Sequence, residues 1–407
     1  MSAGEAVELH PIDGGVTAAQ GFRAAGMACG IKKANPDLAL LAAERAVPAA
    51  GVFTTNLAQA APVLVSREHL RASGGLAAGI IANSGCANAC TGDAGLEVAL
   101  EMARSTADAL QCRPEQVLVA STGVIGVDLD VQKITRAMPA IAAALSRQGH
   151  GDAARAIMTT DPFPKECALA VRTPGGVFHV GGMAKGSGMI EPHMATMLAF
   201  ITTDAATSPG SLQRALSEAV ADTFNAITVD GECSTNDTVF ALASGASGVE
   251  ITDALYPALV AGLRAVCREL ALGIVRGGEG ATKLITINVT GAASADEARR
   301  AAKTVANSLL VKTAIHGSDP NWGRLVSASG RAGVDFCLDR AVVALGPHVL
   351  FSRGQPCDEA APAAAAYLKQ QDVEVRIDLG TGGAHHATVW TCDLSAEYVR
   401  INAEYRT

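Results

Sequence analysis

The stretch Lys185-Gly186-Ser187-Gly188-Met189-Ile190-Glu191-Pro192-His193-Met194-Ala195-Thr196-Met197-Leu198 sets one threonine between a small alanine and the apolar run Met197-Leu198-Ala199-Phe200-Ile201. A glycine-rich approach headed by Lys185 leads into it. A threonine hydroxyl is a poor nucleophile at neutral pH unless a base lies within hydrogen-bond reach. One solution is the threonine's own α-amino group, which exists only once the chain is cut before that residue. An Ala195–Thr196 bond near mid-chain, in a conformationally permissive setting, is one that the threonine hydroxyl can itself attack. The same residues also read as a loop entering a buried strand, since threonine is an ordinary first residue of a strand.

Outward from this point the pattern is mixed. Before it, strand-like runs fall at 51–55, 62–65, 79–83 and 116–121, and helical periodicity at 95–110, 131–145 and 153–161. Residues 168–172 and 176–181 read as a hairpin over Thr173-Pro174-Gly175. After Thr196 come a strand at 197–202, a helix at 211–225, a strand at 238–243 and a helix at 253–272. A third region opens near Lys283 with a strand at 283–289 and a helix at 295–309 capped by Ser294. It continues with strands at 333–338, 341–345, 374–378 and 387–392 and a helix at 358–371. These elements support an α/β or α+β fold in two lobes.

With 407 residues the chain is long for one core. Hydrophobic residues make up 49% but aromatics only 4%, so the core must be built from Ala, Val, Leu and Ile. A net charge of −8 with scattered basic residues argues against binding a phosphate backbone. No apolar run approaches the roughly 18 residues of a membrane span. Met1-Ser2-Ala3-Gly4-Glu5 has no basic region followed by an apolar one, so a cytoplasmic enzyme is expected. Ten dispersed cysteines fit a reduced compartment better than a disulfide scaffold. Cys86 and Cys90 lack further ligands at metal spacing, and so do His385 and His386, so no metal is expected. The cluster Gly277-Gly278-Glu279-Gly280 lacks the Gly-Lys-Ser/Thr ending of a phosphate loop.

Blocks spread along the chain carry a resemblance. They are Ala49-Ala50-Gly51-Val52-Phe53-Thr54-Thr55-Asn56, Asn83-Ser84-Gly85-Cys86-Ala87-Asn88-Ala89-Cys90-Thr91-Gly92, Ser121-Thr122-Gly123-Val124-Ile125-Gly126 and Met158-Thr159-Thr160-Asp161. Then come Gly182-Met183-Ala184-Lys185-Gly186-Ser187-Gly188-Met189, Met194-Ala195-Thr196-Met197-Leu198, Val229-Asp230-Gly231 and Ser234-Thr235-Asn236-Asp237-Thr238. Gly278-Glu279-Gly280-Ala281-Thr282-Lys283, His316-Gly317-Ser318-Asp319-Pro320-Asn321-Trp322-Gly323-Arg324 and the end Ile401-Asn402-Ala403-Glu404-Tyr405-Arg406-Thr407 complete the set. In this order, from about residue 13 onward, the chain resembles the ornithine acetyltransferase family, the glutamate N-acetyltransferases of cyclic arginine biosynthesis.

The resemblance implies a layered α/β fold with sheets stacked between helices in two lobes, similar to N-terminal-nucleophile enzymes. It implies self-cleavage at Ala195–Thr196, giving an alpha chain of residues 1–195 and a beta chain of 196–407 with a C-terminal subdomain from about 283. Two of each would form a heterotetramer. Thr196 would be the nucleophile, carrying the acetyl group from N-acetyl-L-ornithine to L-glutamate, with Thr122 and Gly123 as the oxyanion hole. Thr159, Lys185, Thr196, Glu279, Asn402 and Thr407 would bind substrate. Lys185 is also a candidate to depress the pKa of the Thr196 amine. An apolar end segment, Tyr398-Val399-Arg400-Ile401, docking as a strand, would deliver Asn402 and Thr407 to the pocket. No cofactor is implied, and acetyl-CoA stays open as a second acetyl donor. Glu191-Pro192-His193 and Glu232-Cys233 depart from the family's usual residues. An aminopeptidase or amidase of similar fold, which would admit water, is the rival reading, and a non-catalytic interaction protein is a more distant one.

Overall fold

A computed structural model describes residues 7–191 and 197–404. Ala195, Thr196 and Thr407 lie outside the described residues, as does His193. The chain forms two compact units, one from the residues up to Asn225 together with Cys233–Ile274, the other from Ala226–Glu232 together with the residues from Val275 onward.

The first unit holds strands β1 (Glu8–Pro11), β2 (Phe22–Met27), β3 (Leu38–Phe53), β4 (Leu76–Cys86), β5 (Val117–Val124), β6 (Lys165–Thr173), β7 (Gly176–Lys185), β8 (Leu198–Thr203) and β9 (Thr238–Ala243). Its helices are α1 (Ala61–Ala72), α2 (Gly92–Leu110), α3 (Val131–Ala143), α4 (His150–Ala156), α5 (Pro209–Ala221) and α6 (Tyr256–Arg276), the last of which ends just past the unit boundary. The strands run in the order β1-β6-β7-β8-β9-β3-β4-β5, with β2 also on β3. The long strand β3 is the pivot: residues 38–43 pair with β2, while Ala49–Phe53 pair with β9. The two halves of the sheet therefore belong to different layers joined through one strand.

Alternation along the strands sorts the layers. Leu118 and Ala120 of β5, with Ile80 and Ala82 of β4, pack against Met183, Leu198, Phe200 and Phe240 of the other layer. Their neighbours Val117, Val119 and Ile81 point the opposite way, against Met102, Ala103, Ile134 and Met138 of α2 and α3. On the outer side of the second layer α6 presses close, so that a Cβ on Gly182 would meet Leu270 at 3.0 Å. Stacked sheets flanked by helices are the expected fold class. The inner layer is filled largely by alanine, as the low aromatic content requires.

The second unit is a six-stranded sheet of β10 (Leu284–Ala292), β11 (Val342–Leu345), β12 (His348–Ser352), β13 (Gln355–Pro356), β14 (Asp372–Asp378) and β15 (His385–Cys392) in the order β13-β12-β11-β14-β10-β15. Its helices are α7 (Ala295–Ala306), α8 (Leu309–His316), α9 (Trp322–Gly330), α10 (Ala361–Tyr367) and α11 (Ala396–Glu404). Ile285, Ile287 and Val289 of β10 pack with Ala298, Ala302 and Val305 of α7. Ser294 caps α7 by accepting from the Glu297 N–H, as expected.

Three local expectations are corrected. Residues 62–65 lie in α1 rather than a strand, because Pro62 sits in the helix's first turn, where its fixed φ and missing N–H cost nothing. Residues 333–338 form turns, the Cys337 carbonyl accepting from the Arg340 and Ala341 N–H groups instead of a strand ladder. The end segment Tyr398–Ile401 is part of helix α11, not a strand. In addition, β5 runs on through Gly123 to Val124, two residues beyond the expected turn at Thr122.

Candidate active site

In the first unit a group of buried polar side chains gathers where β5 and β7 end and where β8 and β9 begin. The register explains why. Lys185, the last residue of β7, pairs with Leu198 at the start of β8, and Leu198 in turn pairs with Thr238 at the start of β9. On the other layer, Ser84 pairs with Thr122 and Gly85 with Gly123 just before the ladder slips by a residue at Cys86. That slip needs glycine: Gly85 and Gly123 have φ of 101° and 131°. A Cβ on Gly123 would come within 2.6 Å of the Cys86 nitrogen.

Lys185 links the layers. Its Nζ donates to Thr159 Oγ1 at 2.9 Å and to Thr122 Oγ1 at 3.2 Å, and its side chain is almost fully buried. A hydroxyl that accepts from an ammonium must turn its own hydrogen elsewhere. Thr122 and Thr159 are therefore both left as donors, with hydrogens directed away from the lysine.

Asp161 anchors the lysine. Its Oδ1 accepts from Lys165 Nζ at 2.6 Å and from the Gly186 N–H at 2.7 Å, and its Oδ2 accepts from the Thr159 N–H at 3.0 Å. Lys185 Nζ lies 4.0 Å from Oδ2. Burial alone would raise the Asp161 pKa, but Lys185 and Lys165 together outweigh it and hold the carboxyl at about 2. The carboxylate is thus charged at neutral pH. Burial also pulls the Lys32 ammonium below its usual range, opposed by Asp37 and assisted by Lys185.

Asn236 closes the approach to β9. Its Nδ2 donates to the Ala87 carbonyl at 2.6 Å and the Ser121 carbonyl at 2.9 Å. Ser121 in turn donates to Asn83 Oδ1 at 2.6 Å. The next residue, Asp237, is fully buried, and its Oδ1 accepts from the Met197 N–H at 2.9 Å.

Glu279 and Asn402 lie together in the second unit. Asn402, on the exposed face of α11, donates through Nδ2 to Glu279 Oε2 at 2.7 Å and to the Tyr398 carbonyl at 3.0 Å. Ser395 donates to the Gly280 carbonyl at 2.7 Å, and the Tyr398 hydroxyl to Asp230 Oδ2 at 3.1 Å. Gly280 is at φ 69°, and a Cβ there would stand 2.6 Å from the Tyr398 nitrogen, so only glycine lets the helix sit this close.

Of the expected site residues, Thr122, Gly123, Thr159 and Lys185 are gathered in the first unit, and Glu279 and Asn402 in the second. Sequence reasoning assigned no role to Asp161, Lys165, Asn236 or Asp237. The signal for the last two was a run of polar residues, Ser234 to Asp237, directly before the fully buried strand β9. Among the described residues no cluster of three or more His, Cys, Asp or Glu side chains is placed to hold a metal ion. Among them, too, no helix is long and apolar enough to cross a membrane.

Comparison with known proteins covers nearly the whole chain. The ArgJ family model matches residues 23–407. The chain is 51% identical over 404 residues to the arginine biosynthesis bifunctional protein ArgJ of Gloeobacter violaceus, covering 97% of this chain and 98% of that one. It is 49% identical over 415 residues to the protein of the same name from Thermosynechococcus vestitus, covering 97% and 99%. A crystal structure of ornithine acetyltransferase complexed with ornithine, from Mycobacterium tuberculosis, is 38% identical with a TM-score of 0.42, over 46% of this chain and 98% of that chain. With the family model matching residues 23–407 and about half of the aligned positions identical over 97% of its length, the chain belongs to the ArgJ family.

Proposed function

We propose that this chain transfers an acetyl group from N-acetyl-L-ornithine to L-glutamate through an acetyl-Thr196 intermediate. Membership of the ArgJ family makes it an acyltransferase of arginine biosynthesis, a glutamate N-acetyltransferase. The observation that carries the mechanism is the buried ammonium of Lys185, shared between Thr122 and Thr159. It leaves two hydroxyl donors directed away from the lysine in a buried setting, where donors aimed at a developing oxyanion are worth most.

In this reading Thr196 first attacks the Ala195 carbonyl, and water opens the resulting ester, so that Thr196 becomes a new N-terminus. Its α-amine, with an ordinary pKa of about 7.7–8.0, then serves as the base for its own hydroxyl. The hydroxyl takes the acetyl group from N-acetylornithine, ornithine leaves, and glutamate accepts the acetyl. Thr122 and Gly123 stabilise the oxyanion of both half-reactions. Thr159, Lys185, Glu279, Asn402 and Thr407 hold the amino-acid substrates. The cut chains, 1–195 and 196–407, assemble as two alpha and two beta chains in the cytoplasm. The printed name of the close relatives, a bifunctional protein, favours a second donor, acetyl-CoA, used to acetylate glutamate directly.

The test is the purified enzyme with acetylornithine and glutamate. Ornithine and acetylglutamate are expected in equal amounts, with none of the free acetate that an amidase would release. Denaturing electrophoresis should show two chains, one beginning Thr-Met-Leu-Ala-Phe, and Thr196→Ala should be uncut and inactive. A single, fully active uncut chain would overturn the amine-as-base mechanism. Replacing acetylornithine by acetyl-CoA decides the second activity.

A further inference from the structure

Asp237 carries an acid–base group that the transfer reaction leaves unused. It immediately precedes β9 and is completely shielded from solvent. Its Oδ1 accepts from the Met197 N–H at 2.9 Å. Its Oδ2, equally buried, has no hydrogen-bond partner among the described residues. The neighbouring Thr54 hydroxyl does not satisfy that oxygen, because it gives its hydrogen to the Ser234 carbonyl at 2.7 Å. A buried bare oxygen on an ionised carboxyl would be costly, whereas on a neutral acid it carries a proton ready to be given away.

The position of this acid is fixed by its bond to Met197. Thr196 is joined to Met197 directly, and three covalent bonds hold the two backbone nitrogens within about 4 Å of one another in any conformation. The carboxyl is therefore moored one peptide unit from the nitrogen that must leave when the Ala195–Thr196 bond opens. An amide nitrogen is a poor leaving group until it is protonated, and proton transfer to such a group contributes roughly 10²–10⁴-fold in rate.

We propose that Asp237 is the general acid of self-cleavage, protonating the Thr196 nitrogen as the Ala195–Thr196 bond breaks. The inference rests on the self-cleavage reading above. In the step, the Thr196 Oγ bonds to the Ala195 carbonyl carbon and the carbon–nitrogen bond breaks. Asp237 Oδ2 gives its proton to the departing nitrogen, and the proton lost from Oγ restores the acid. Solvent water then hydrolyses the ester, leaving a carboxyl on Ala195 and a free hydroxyl and amine on Thr196. The surroundings favour the protonated acid: burial pushes its pKa well above the usual carboxylate range, while the Met197 N–H, the Lys185 charge, the Thr54 hydroxyl and the Ser234 N–H only partly oppose this. Among the described residues the Cys233 thiol interacts with this carboxyl; burial raises that thiol, with further upward contributions from Asp237 and Glu191 and opposing hydrogen bonds involving Thr54 and Asn56.

The experiment follows cleavage of the full chain during cell-free synthesis, by intact mass over time, for wild type and Asp237→Asn. Asparagine keeps an acceptor for the Met197 N–H but has no acidic proton. The variant should be soluble and at least 10²-fold slower to cut. Cutting within about threefold of wild type overturns the role of Asp237 while leaving self-cleavage standing. An uncut wild-type chain overturns the self-cleavage reading and the proposal with it. If Asp237→Asn proves insoluble, the wild-type pH profile decides. A cleavage rate that falls as pH rises above neutral supports an essential neutral acid, and one that rises with pH overturns it.

Discussion

Lys185 Nζ and Thr122 Oγ1 are 3.2 Å apart, joining the end of β7 to the end of β5 across the two layers of the first unit. The bond makes Thr122 an acceptor toward the lysine and so leaves its own hydroxyl hydrogen directed away from it. Thr122→Ala should lower kcat by roughly 10²–10³ with a modest change in KM, as removal of one oxyanion donor does. Thr122→Ser, which keeps the hydroxyl, should restore most of the rate. A change confined to KM would make Thr122 a substrate-binding residue instead.

Asp161 holds Lys165 and Lys185 in the buried site, and Asp161→Asn should leave both ammonium groups without their counter-charge. Breaking a buried pair in this way costs about 3–5 kcal/mol, read from denaturant unfolding at pH 7. The pH dependence has a definite sign. The folded Asp161 pKa, about 2, lies below its ordinary value of 3.8. The stabilisation is therefore complete above pH ~4 and is lost as pH falls toward 2. Wild type should lose stability over that window more steeply than the variant, and equal slopes would show that Asp161 is not the carboxylate responsible.

The outline of the fold was legible because its strands are short apolar runs, such as the fully buried β8 and β9, and its helices keep apolar residues at three and four spacings. The hairpin of β6 and β7 and the helix α7 with its Ser294 cap both follow from local chemistry alone. What local reading missed was set by packing or by short-range competition. Residues 62–65 read as a short strand-like run, yet Pro62 opens a helix. The tail residues Tyr398 to Ile401 are apolar enough for a strand, but α11 is fastened as a helix by Ser395 and Tyr398. At the site, the motifs supplied Thr122, Thr159 and Lys185. The carboxylate that organises them sits two residues from Thr159 in the same motif, and only the folded register reveals that it reaches Lys165 and the Gly186 N–H as well.

Gly123 tests the backbone half of the proposed oxyanion site. At φ 131°, with the Gly85 and Cys86 backbone directly against the missing side chain, Gly123→Ala cannot be accommodated without shifting β5 from β4. The substitution should destabilise by more than about 1 kcal/mol, seen as a lowered Tm, because the native conformation is one that alanine disfavours. The soluble fraction should also lose kcat, since the Thr122 hydroxyl moves with the strand end. A variant with wild-type Tm and kcat would show that the glycine slip between β4 and β5 is dispensable.

The last prediction concerns the Glu279–Asn402 pair in the second unit. The Asn402 amide donates to Glu279 Oε2 at 2.7 Å from the last turn of α11, while the helix is tied down by Ser395 and Tyr398 further back. Removing residues 402–407 thus leaves those two anchors in place but releases the Glu279 carboxylate from its amide donor. If Glu279 and Asn402 hold the amino-acid substrate, the truncated enzyme should show a strongly raised KM for acetylornithine. Asn402→Ala alone should give part of that effect and Asn402→Asp a larger one, because it sets two carboxylates against each other at hydrogen-bond distance. Cleavage at Ala195–Thr196 should proceed at the wild-type rate in all three, since it precedes substrate binding. The measurement is steady-state kinetics on the truncated and point variants, with chain masses checked first. Unchanged kinetics in the truncation would make the end of α11 an ordinary surface helix and remove Asn402 and Thr407 from the substrate site.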